Sequence, residues 1–237
     1  MVKVGCCGFP VSYKRYMKEF KTVEVQITFY RRITKKQVDN WLKSAPFDFE
    51  FIFKAPQCVT HPPDSPTYRR SDLPYEERRE CGGFRLTEVV KREMDYMIDV
   101  ISPLNVKGLL FQASPKFDCS DINIENLKRF FEYYRHLFES YFIALEVRHP
   151  SWSATRIREV FSDIGLIHAV DPFIHGPQVV GDFTYYRMHG NLKTYRYDYS
   201  REELVKLKGM CKKSGYVFFN NSHMFKNARE FLEILKD

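Results

Sequence analysis

The segment ALEVRHPSW, residues 144–152, brings together three side chains that could do acid–base or anion chemistry. Glu146, Arg148 and His149 follow an apolar run typical of a β-strand, and Pro150 ends the run. Successive strand side chains point to opposite faces, so Glu146 and Arg148 share one face. A carboxylate accepts protons, a guanidinium binds phosphate or carboxylate, and an imidazole titrates near neutral pH. The segment therefore predicts a charged site at the end of a strand.

Polar residues end most of the other predicted strands as well. In barrel enzymes the chemistry lies at the C-terminal ends of the strands, so these residues are the candidates for a common site. The predicted catalytic residues are Glu146, His189 and Asp171. The predicted substrate-binding residues are Lys54, Arg148, Arg187, Gln26, Gln112, His61, His149 and Asn220.

The elements that position these residues alternate between strand-like and helix-like segments. Apolar runs rich in β-branched and aromatic residues predict eight strands, at Val2–Cys6, Thr22–Thr28, Glu50–Lys54, Val106–Gln112, Phe142–Arg148, Leu166–Val170, Thr184–His189 and Gly215–Asn220. Helices are predicted at Thr34–Ser44, Leu86–Ile101, Ile124–Phe138, Ala154–Asp163, Arg201–Cys211 and Met224–Lys236. Eight βα units in 237 residues favour an α/β fold of the (β/α)8 TIM-barrel type, with residues 1–237 forming a single domain.

Two segments interrupt the alternation. Residues 56–84 are rich in proline and charge, which predicts a long loop insertion after strand three. Residues 171–183 carry little helix signal, so the helix after strand six is predicted to be reduced. Long excursions after barrel strands often serve as binding loops.

Composition narrows the class of protein. The chain is 44% hydrophobic and 28% charged, with a net charge of +7, a weak bias towards polyanions. It has no run of 18 apolar residues and no apolar stretch of signal-peptide type near its first residue, so we predict a cytoplasmic protein without a membrane partner. Six cysteines without zinc-like spacing predict reduced thiols, although Cys58 and Cys81 bracket the long loop and could pair.

The charges at the strand ends allow three interpretations. Lys54, Arg148 and Arg187 directed at one site favour an anion such as phosphate or carboxylate. The same cations could instead pair with Glu24, Glu146 and Asp171 in an interior salt-bridge network that only fills the barrel. Carboxylates and histidines could also hold a divalent metal, which the neighbouring cations disfavour. We predict no cofactor and keep a divalent metal as the alternative.

At these same residues the sequence resembles the YecE-like family, also known as domain of unknown function 72. The matching segments are VGCCGF (4–9), TVEVQITFYR (22–31), FEFIFKAPQCVTH (49–61), LLFQASPKF (109–117), ALEVRHPSW (144–152), YYRMHG (185–190) and VFFNNSHM (217–224). The resemblance covers nearly the whole chain and implies a TIM-type barrel. It implies no activity, because the family has no established biochemical role.

Three functions follow from these patterns. The first is binding of a phosphorylated small molecule or nucleic acid at a polar, cationic site, with hydrolysis of a phosphate ester or phosphodiester as the reaction. The second is a non-catalytic nucleic-acid-binding module that uses the net charge and the loop residues Tyr68–Arg70. The third is a metal-dependent isomerase or hydrolase. The sequence predicts no particular oligomeric state.

Overall fold

A computed structural model describes residues 1–178 and 182–236, in which eight strands alternate with helices. The strands are β1 (Val2–Cys6), β2 (Thr22–Val25), β3 (Glu50–Lys54), β4 (Val106–Gln112), β5 (Phe142–Glu146), β6 (Ile167–His168), β7 (Phe183–Met188) and β8 (Ser214–Phe219). The helices are α1 (Tyr13–Glu19), α2 (Ile27–Tyr30), α3 (Lys35–Ser44), α4 (Gln57–Thr60), α5 (Glu88–Ile101), α6 (Asp121–Tyr133), α7 (Arg135–Phe138), α8 (Ala154–Ile164), α9 (Arg201–Met210) and α10 (Met224–Lys236).

All strand pairs are parallel, and the ladders form two sheets. One sheet has the order β2-β3-β4-β5-β6, and the other has the order β1-β8-β7. Single parallel bridges, Cys7 with Glu24 and Val170 with Tyr186, join the sheets at their two junctions. The prediction of an α/β fold with parallel strands is confirmed. The continuous eight-stranded ladder is not observed, because β2 and β6, the strands at the edges of the larger sheet, are only four and two residues long.

The inward faces of the strands change from apolar to charged along their length. Ile52, Leu110, Ala144 and Tyr185 pack together in an interior cluster. Two positions further along the same strands, and hence on the same face, stand the buried polar residues Lys54, Gln112, Glu146 and Arg187. The opposite faces of the strands contribute to a much larger apolar core that also contains residues of the helices. The C-terminal half of the interior is therefore the charged half.

Several predicted boundaries are wrong, each for a local reason. Strand β2 stops at Val25, because the backbone of Gln26 is already helical (φ −94°, ψ −23°) and leads into α2. Strand β5 stops at Glu146, so Arg148 lies beyond it, and His189 and Asn220 lie one residue beyond β7 and β8. Helix α1 was not predicted, since it is short and Ser12 makes no side-chain capping hydrogen bond.

Helix starts were predicted better where a side chain caps the helix. Thr34 caps α3 in a reciprocal capping box with Gln37, which confirms the predicted start. Thr87 caps α5 one residue inside the predicted start at Leu86. The predicted helix Ile124–Phe138 begins earlier, at Asp121, and is interrupted at Tyr134, so that it forms α6 and α7.

The two irregular segments contain short helices or none. Residues 56–84 hold α4 and two 3-10 turns, Pro66–Arg70 and Tyr75–Glu80. Cys58 and Cys81 are both buried free thiols, and the amide of Gly82 donates to Cys58 O at 2.7 Å. Between β6 and β7 the described residues, 171–178 and 182, form no helix; the predicted reduced segment also includes 179–181, which lie outside the described residues.

Candidate functional site

Arg187 is a charged residue of the interior with no exposed surface. Its side chain is fully buried on β7, with Nε 3.1 Å from both carboxylate oxygens of Glu24 and Nη2 2.9 Å from Oε1. Its Nη1 donates to Oε2 of Glu146 and, at 3.2 Å, to Oε1 of Gln112. Because Glu24 and Glu146 belong to the five-stranded sheet and Arg187 to the three-stranded one, this guanidinium links the sheets from inside.

Glu24 accepts more hydrogen bonds than Glu146 or Asp171. Besides Arg187, the hydroxyl of Tyr185 donates to Oε2 at 2.7 Å, the thiol of Cys7 donates to Oε1 at 3.1 Å, and the amide of Gln26 donates to Oε1. Burial alone raises the pKa of Glu24, but Arg187 and these donors outweigh burial and lower it. Glu24 is therefore ionised and saturated, which assigns Gln26 to the support of this carboxylate.

Glu146 lies between two guanidinium groups at the end of β5. Nε of Arg148 donates to Oε1 at 2.6 Å, while Arg187 holds Oε2. Burial raises the pKa of Glu146, but Arg148 and Arg187 more than compensate and hold it well below the usual range. The Arg148 side chain keeps 25% of its surface exposed, and among the described residues its hydrogen bonding is confined to Nε. Its Nη1 and Nη2 groups are available to an anion.

His189 is buried beside Glu146 and is held from two sides. The amide nitrogen of Asn220 lies 3.1 Å from Nδ1 of His189, so Nδ1 accepts and the ring proton lies on Nε2. Nε2 is 3.6 Å from Oε2 of Glu146, and it is a buried atom without a hydrogen-bond partner in the described part of the chain. A buried polar atom left unpaired is costly, so this N–H is an unsatisfied donor of the site.

Asp171 supports His189 through the backbone. Its Oδ2 accepts the amide of His189 at 2.8 Å and its Oδ1 accepts the amide of Phe173 at 3.0 Å. Burial raises the pKa of Asp171, although these amides oppose the shift. Both oxygens are engaged by the main chain, so the geometry makes Asp171 an anchor for the loop that carries His189.

Lys54 is a buried amine on the other side of Gln112. Its Nζ donates to Oε1 of Gln112 at 3.0 Å and lies 3.7 Å from the ring centre of Phe29. Burial, followed by the charge of Arg187, lowers the pKa of Lys54 to about 7. This lysine therefore changes its charge near neutral pH.

His61 and His149 occupy different surroundings. The His61 ring is buried against Phe29, and Nδ1 is 2.8 Å from the Thr60 hydroxyl. Burial, with help from Lys54, lowers the pKa of His61 to about 3, so the ring is neutral. His149 is half-buried beyond β5, with Nδ1 2.7 Å from the hydroxyl of Ser151.

A cavity of about 630 Å³ opens above the ends of β5, β6 and β7. Its lining includes five of the predicted residues, namely Glu146, Arg148, His149, Asp171 and His189. Of the other predicted residues, Arg187 and Gln112 lie deeper in the interior, and the rest lie on other sides of it: Gln26 at the end of β2, Lys54 and His61 at and after β3, and Asn220 after β8. The sequence missed the apolar walls of the cavity, which include Trp152, Ile157, Ile174 and Leu192. It predicted Glu24 as one of the carboxylates that could pair with the three cations, without assigning the cation, which is Arg187.

Two alternative interpretations of the sequence are weakened by this geometry. Within residues 1–178 and 182–236, no three His, Cys, Asp or Glu side chains are arranged to hold one metal ion. Tyr68, predicted to offer a stacking face to bases, is buried, and its hydroxyl donates to His61 O at 3.1 Å. Arg70 instead lies over the ring of Tyr30, at 4.3 Å.

Residues 12–237 match the model of a family described as protein of unknown function DUF72. The chain belongs to the DUF72 family. This confirms the resemblance, and six of the seven sequence segments lie within the matched residues, VGCCGF (4–9) being before them. The match covers all of the strand ends that form the site except the end of β1.

Individual relatives agree with this assignment. The chain is 26% identical to UPF0759 protein YunF of Bacillus subtilis (strain 168), over 93% of this chain and 85% of that protein. A DUF72 family protein from Thermotoga maritima MSB8 superposes with a TM-score of 0.67 and 26% identity over the whole of both chains. One from Enterococcus faecalis V583 gives a TM-score of 0.71 at 22% identity, covering 100% of this chain and 98% of the other.

The fold also extends beyond DUF72. A xylose isomerase domain containing protein from Salmonella typhimurium LT2 superposes with a TM-score of 0.57 and 13% identity, covering 96% of this chain and 94% of that one. At this identity the likeness concerns the fold alone. Among the described helices, none is both long and apolar enough to cross a bilayer.

Proposed function

We propose that this protein binds a phosphorylated small molecule in the cavity above β5–β7 and hydrolyses its phosphate ester. The observation that carries the proposal is the pair of unsaturated donors at the cavity floor. Nε2 of His189 has no partner among the described residues, and Arg148 uses only Nε. Both groups belong to residues that line the 630 Å³ cavity. A guanidinium and an imidazole N–H at the base of such a cavity are suited to phosphate oxygens.

Arg148 is the anion anchor because the other two cations are engaged elsewhere. Arg187 is fully buried and spends its donors on Glu24, Glu146 and Gln112. Lys54 has a pKa near 7 and is held by Gln112, so it is only partly charged at neutral pH. In this proposal both groups shape the electrostatic field below the ligand and do not touch it.

His189 and Glu146 assist the hydrolysis in different ways. Water attacks phosphorus as the bond to the leaving alcohol oxygen breaks, and His189, which keeps its Nε2 proton, donates a hydrogen bond to a phosphate oxygen and stabilises its charge. The carboxylate of Glu146 takes one proton of the attacking water and passes it to the leaving oxygen, so that the alcohol and inorganic phosphate are released and both side chains return to their starting state. Asp171 and Asn220 are positioning residues, since they fix the backbone and the tautomer of His189.

A nucleic-acid ligand is the second candidate. Exposed basic side chains on the loops after β3 and β7 lie at the same edge as the cavity; they are Arg69, Arg70, Lys193 and Arg196. Such a rim, together with the net charge of +7, attracts polyanions. In this case the phosphate at Arg148 would belong to a polynucleotide backbone.

We also infer that the two sheets close into one eight-stranded barrel. The amide of Gly8 donates to Glu24 O at 2.8 Å at one junction, and the amide of Arg187 donates to Val170 O at 3.0 Å at the other. These bonds support a ring in which β2 follows β1 and β7 follows β6. The arrangement would bring the C-terminal ends of all strands around one site.

A binding titration with phenyl phosphate tests the proposal. We expect saturable binding to the natural protein, at least a tenfold loss in Arg148→Gln, and no change in the matched control Arg196→Gln on the exposed rim. Turnover of phenyl phosphate should then be lost in His189→Leu, which removes the Nε2 donor. Equal binding by Arg148→Gln and the natural protein would contradict the assignment of the anchor.

Two further measurements separate the alternatives. If an oligonucleotide binds with a steep salt dependence and Arg196→Gln weakens it while Arg148→Gln does not, the rim is the binding surface and the second candidate is favoured. If the purified protein contains a stoichiometric divalent metal and chelation abolishes turnover, the hydrolysis is metal-dependent and the proposed metal-free step is wrong.

A further inference from the structure

We infer that the phosphorylated ligand is an amphiphile, a phosphate monoester of an apolar alcohol, whose phosphate lies on the strand ends and whose body lies against the loops above them. This inference rests on the proposed function and specifies its substrate class. It depends on how the cavity changes in character between its floor and its walls.

The floor of the cavity is charged because it is made from strand ends. Glu146 ends β5, and Arg148 and His189 lie at most two residues beyond β5 and β7. These residues follow the inward face that is apolar lower down and polar at its C-terminal end. Only a ligand group with negative charge matches the exposed part of Arg148 and the N–H of His189.

The walls of the cavity are apolar because they come from the connections. Trp152 and Ile157 belong to the β5–α8 connection and to α8, Ile174 to the segment after β6, and Leu192 to the segment after β7. Ile174 and Leu192 keep 37% and 49% of their surface exposed. More than half of the described lining residues are apolar. Covering these side chains with an apolar ligand body removes hydrocarbon surface from water.

Several of the polar groups among the walls already have partners within the protein. Nδ1 of His149 contacts the hydroxyl of Ser151, and Nδ1 of His168 accepts the amide of Gln178 at 3.1 Å. The side chain of Gln178 bonds Gly176 O at 2.7 Å and is reached by Arg158 at 3.3 Å. A sugar phosphate or a polyol would lose water from its hydroxyls and find mainly the remaining ring nitrogens of His149, His168 and His175 in exchange, which is unfavourable where a hydroxyl stays unpaired. An alkyl or aryl body has no such cost.

The size of the cavity agrees with this class of ligand. A volume of about 630 Å³ lies within the range of small-molecule sites, roughly 300–1,000 Å³. Pockets of this kind are lined mainly by apolar side chains and carry a few polar groups that fix orientation. Here the polar groups lie at the strand ends, which orients the ligand with its phosphate at the strand ends and its apolar part towards the loops.

The test is a titration with inorganic phosphate, methyl phosphate, butyl phosphate, hexyl phosphate and glycerol phosphate. A buried methylene strengthens binding about fourfold. We therefore expect butyl phosphate to bind at least tenfold more tightly than methyl phosphate, and glycerol phosphate to bind no more tightly than methyl phosphate. The gain in affinity from methyl phosphate to butyl phosphate should shrink in the double variant Ile174→Ser/Leu192→Ser. It should be unchanged in Leu137→Ser, a matched change at an exposed leucine of α7, which does not line the cavity.

The outcomes separate this inference from the proposed function. If all phosphates bind with similar affinity, or glycerol phosphate binds most tightly, and Arg148→Gln still abolishes binding, the amphiphile is wrong and the phosphate site stands. If chain length strengthens binding but Arg148→Gln has no effect, the apolar walls act without the proposed anchor and the proposed function fails. If none of the phosphates binds, both fail.

Discussion

Arg187 and Glu24 form a fully buried ion pair between residues 163 positions apart in the chain. Nε of Arg187 contacts both carboxylate oxygens, and Nη2 makes a third contact, so the pair is close to fork-on-fork geometry. Two charges at zero exposure are stable only when every lone pair and proton is matched, and here Tyr185 and Cys7 complete the matching at Glu24.

Removing one member of this pair should be severely destabilising. Arg187→Met leaves Glu24 buried without its main partner, so we expect a loss of about 3–5 kcal/mol in the free energy of unfolding. Urea denaturation measures it. The exposed pair Lys21–Asp48, whose Nζ and Oδ2 are 3.0 Å apart, is the control, since Lys21→Met should cost at most about 1 kcal/mol. Similar losses in the two variants would show that burial does not decide the effect.

Lys54 should give stability a pH dependence above neutrality. Its pKa falls from 10.5 in the unfolded chain to about 7 in the folded protein. Between pH 7 and pH 10.5 the unfolded state binds more protons than the folded state, so the free energy of unfolding rises with pH across this range. The cost of burying the protonated amine is complete below pH 7 and absent above pH 10.5. The effect amounts to at most about 5 kcal/mol, at about 1.4 kcal/mol per pKa unit.

Comparison of Lys54→Met with the natural protein isolates this contribution. We expect the variant to be more stable relative to the natural protein at pH 7 than at pH 10, as measured by urea denaturation at a series of pH values. Lys43→Met, on the exposed side of α3, should show no such difference. A pH-independent difference for Lys54→Met would mean that Lys54 keeps an ordinary pKa in the folded state.

His189 should exist as the tautomer with its proton on Nε2. The contact between Nδ1 and the amide of Asn220 requires it. Long-range proton–nitrogen NMR spectra at neutral pH should show a protonated Nε2 and an unprotonated Nδ1. His136, whose side chain is 91% exposed, provides an internal reference that exchanges freely with water. Asn220→Ala should remove the preference, and an unchanged spectrum in that variant would contradict the hydrogen bond.

Two glycines should respond to alanine in opposite directions. Gly215 in β8 has φ +130°, and a Cβ there would lie 2.0 Å from the carbonyl oxygen of Thr184. Gly215→Ala should therefore lower the free energy of unfolding by several kcal/mol, or prevent folding. Gly209 in α9 has open space around its Cα, so Gly209→Ala should stabilise by about 0.5–1 kcal/mol. Thermal unfolding of both variants checks the pair, and a stable Gly215→Ala protein would contradict the close approach of the strands.

The parts of the fold that depend on local pattern were predictable from the sequence. β1, β3 and β4 have the predicted bounds, because β-branched, apolar and aromatic residues predominate in each. The end of β2 and the presence of α1 were not predictable, since Gln26 carries no signal for a helical backbone and Ser12 makes no capping hydrogen bond.

The candidate site was also predictable only in part. Alternation places Arg187 and Glu146 on the inward face but does not specify depth or partner. It therefore could not distinguish the saturated Arg187 from Arg148, which retains free donors.

The link that Arg187 makes between the two sheets has a consequence for how this protein can evolve. One guanidinium on β7 joins carboxylates on β2 and β5, while the described backbone contributes a single bridge at each junction. A lasting change at Arg187 or Glu24 is therefore expected to require a compensating change at the other position. If the proposed site is correct, substitutions at Arg148, His149 and the apolar walls could alter recognition without separating the sheets.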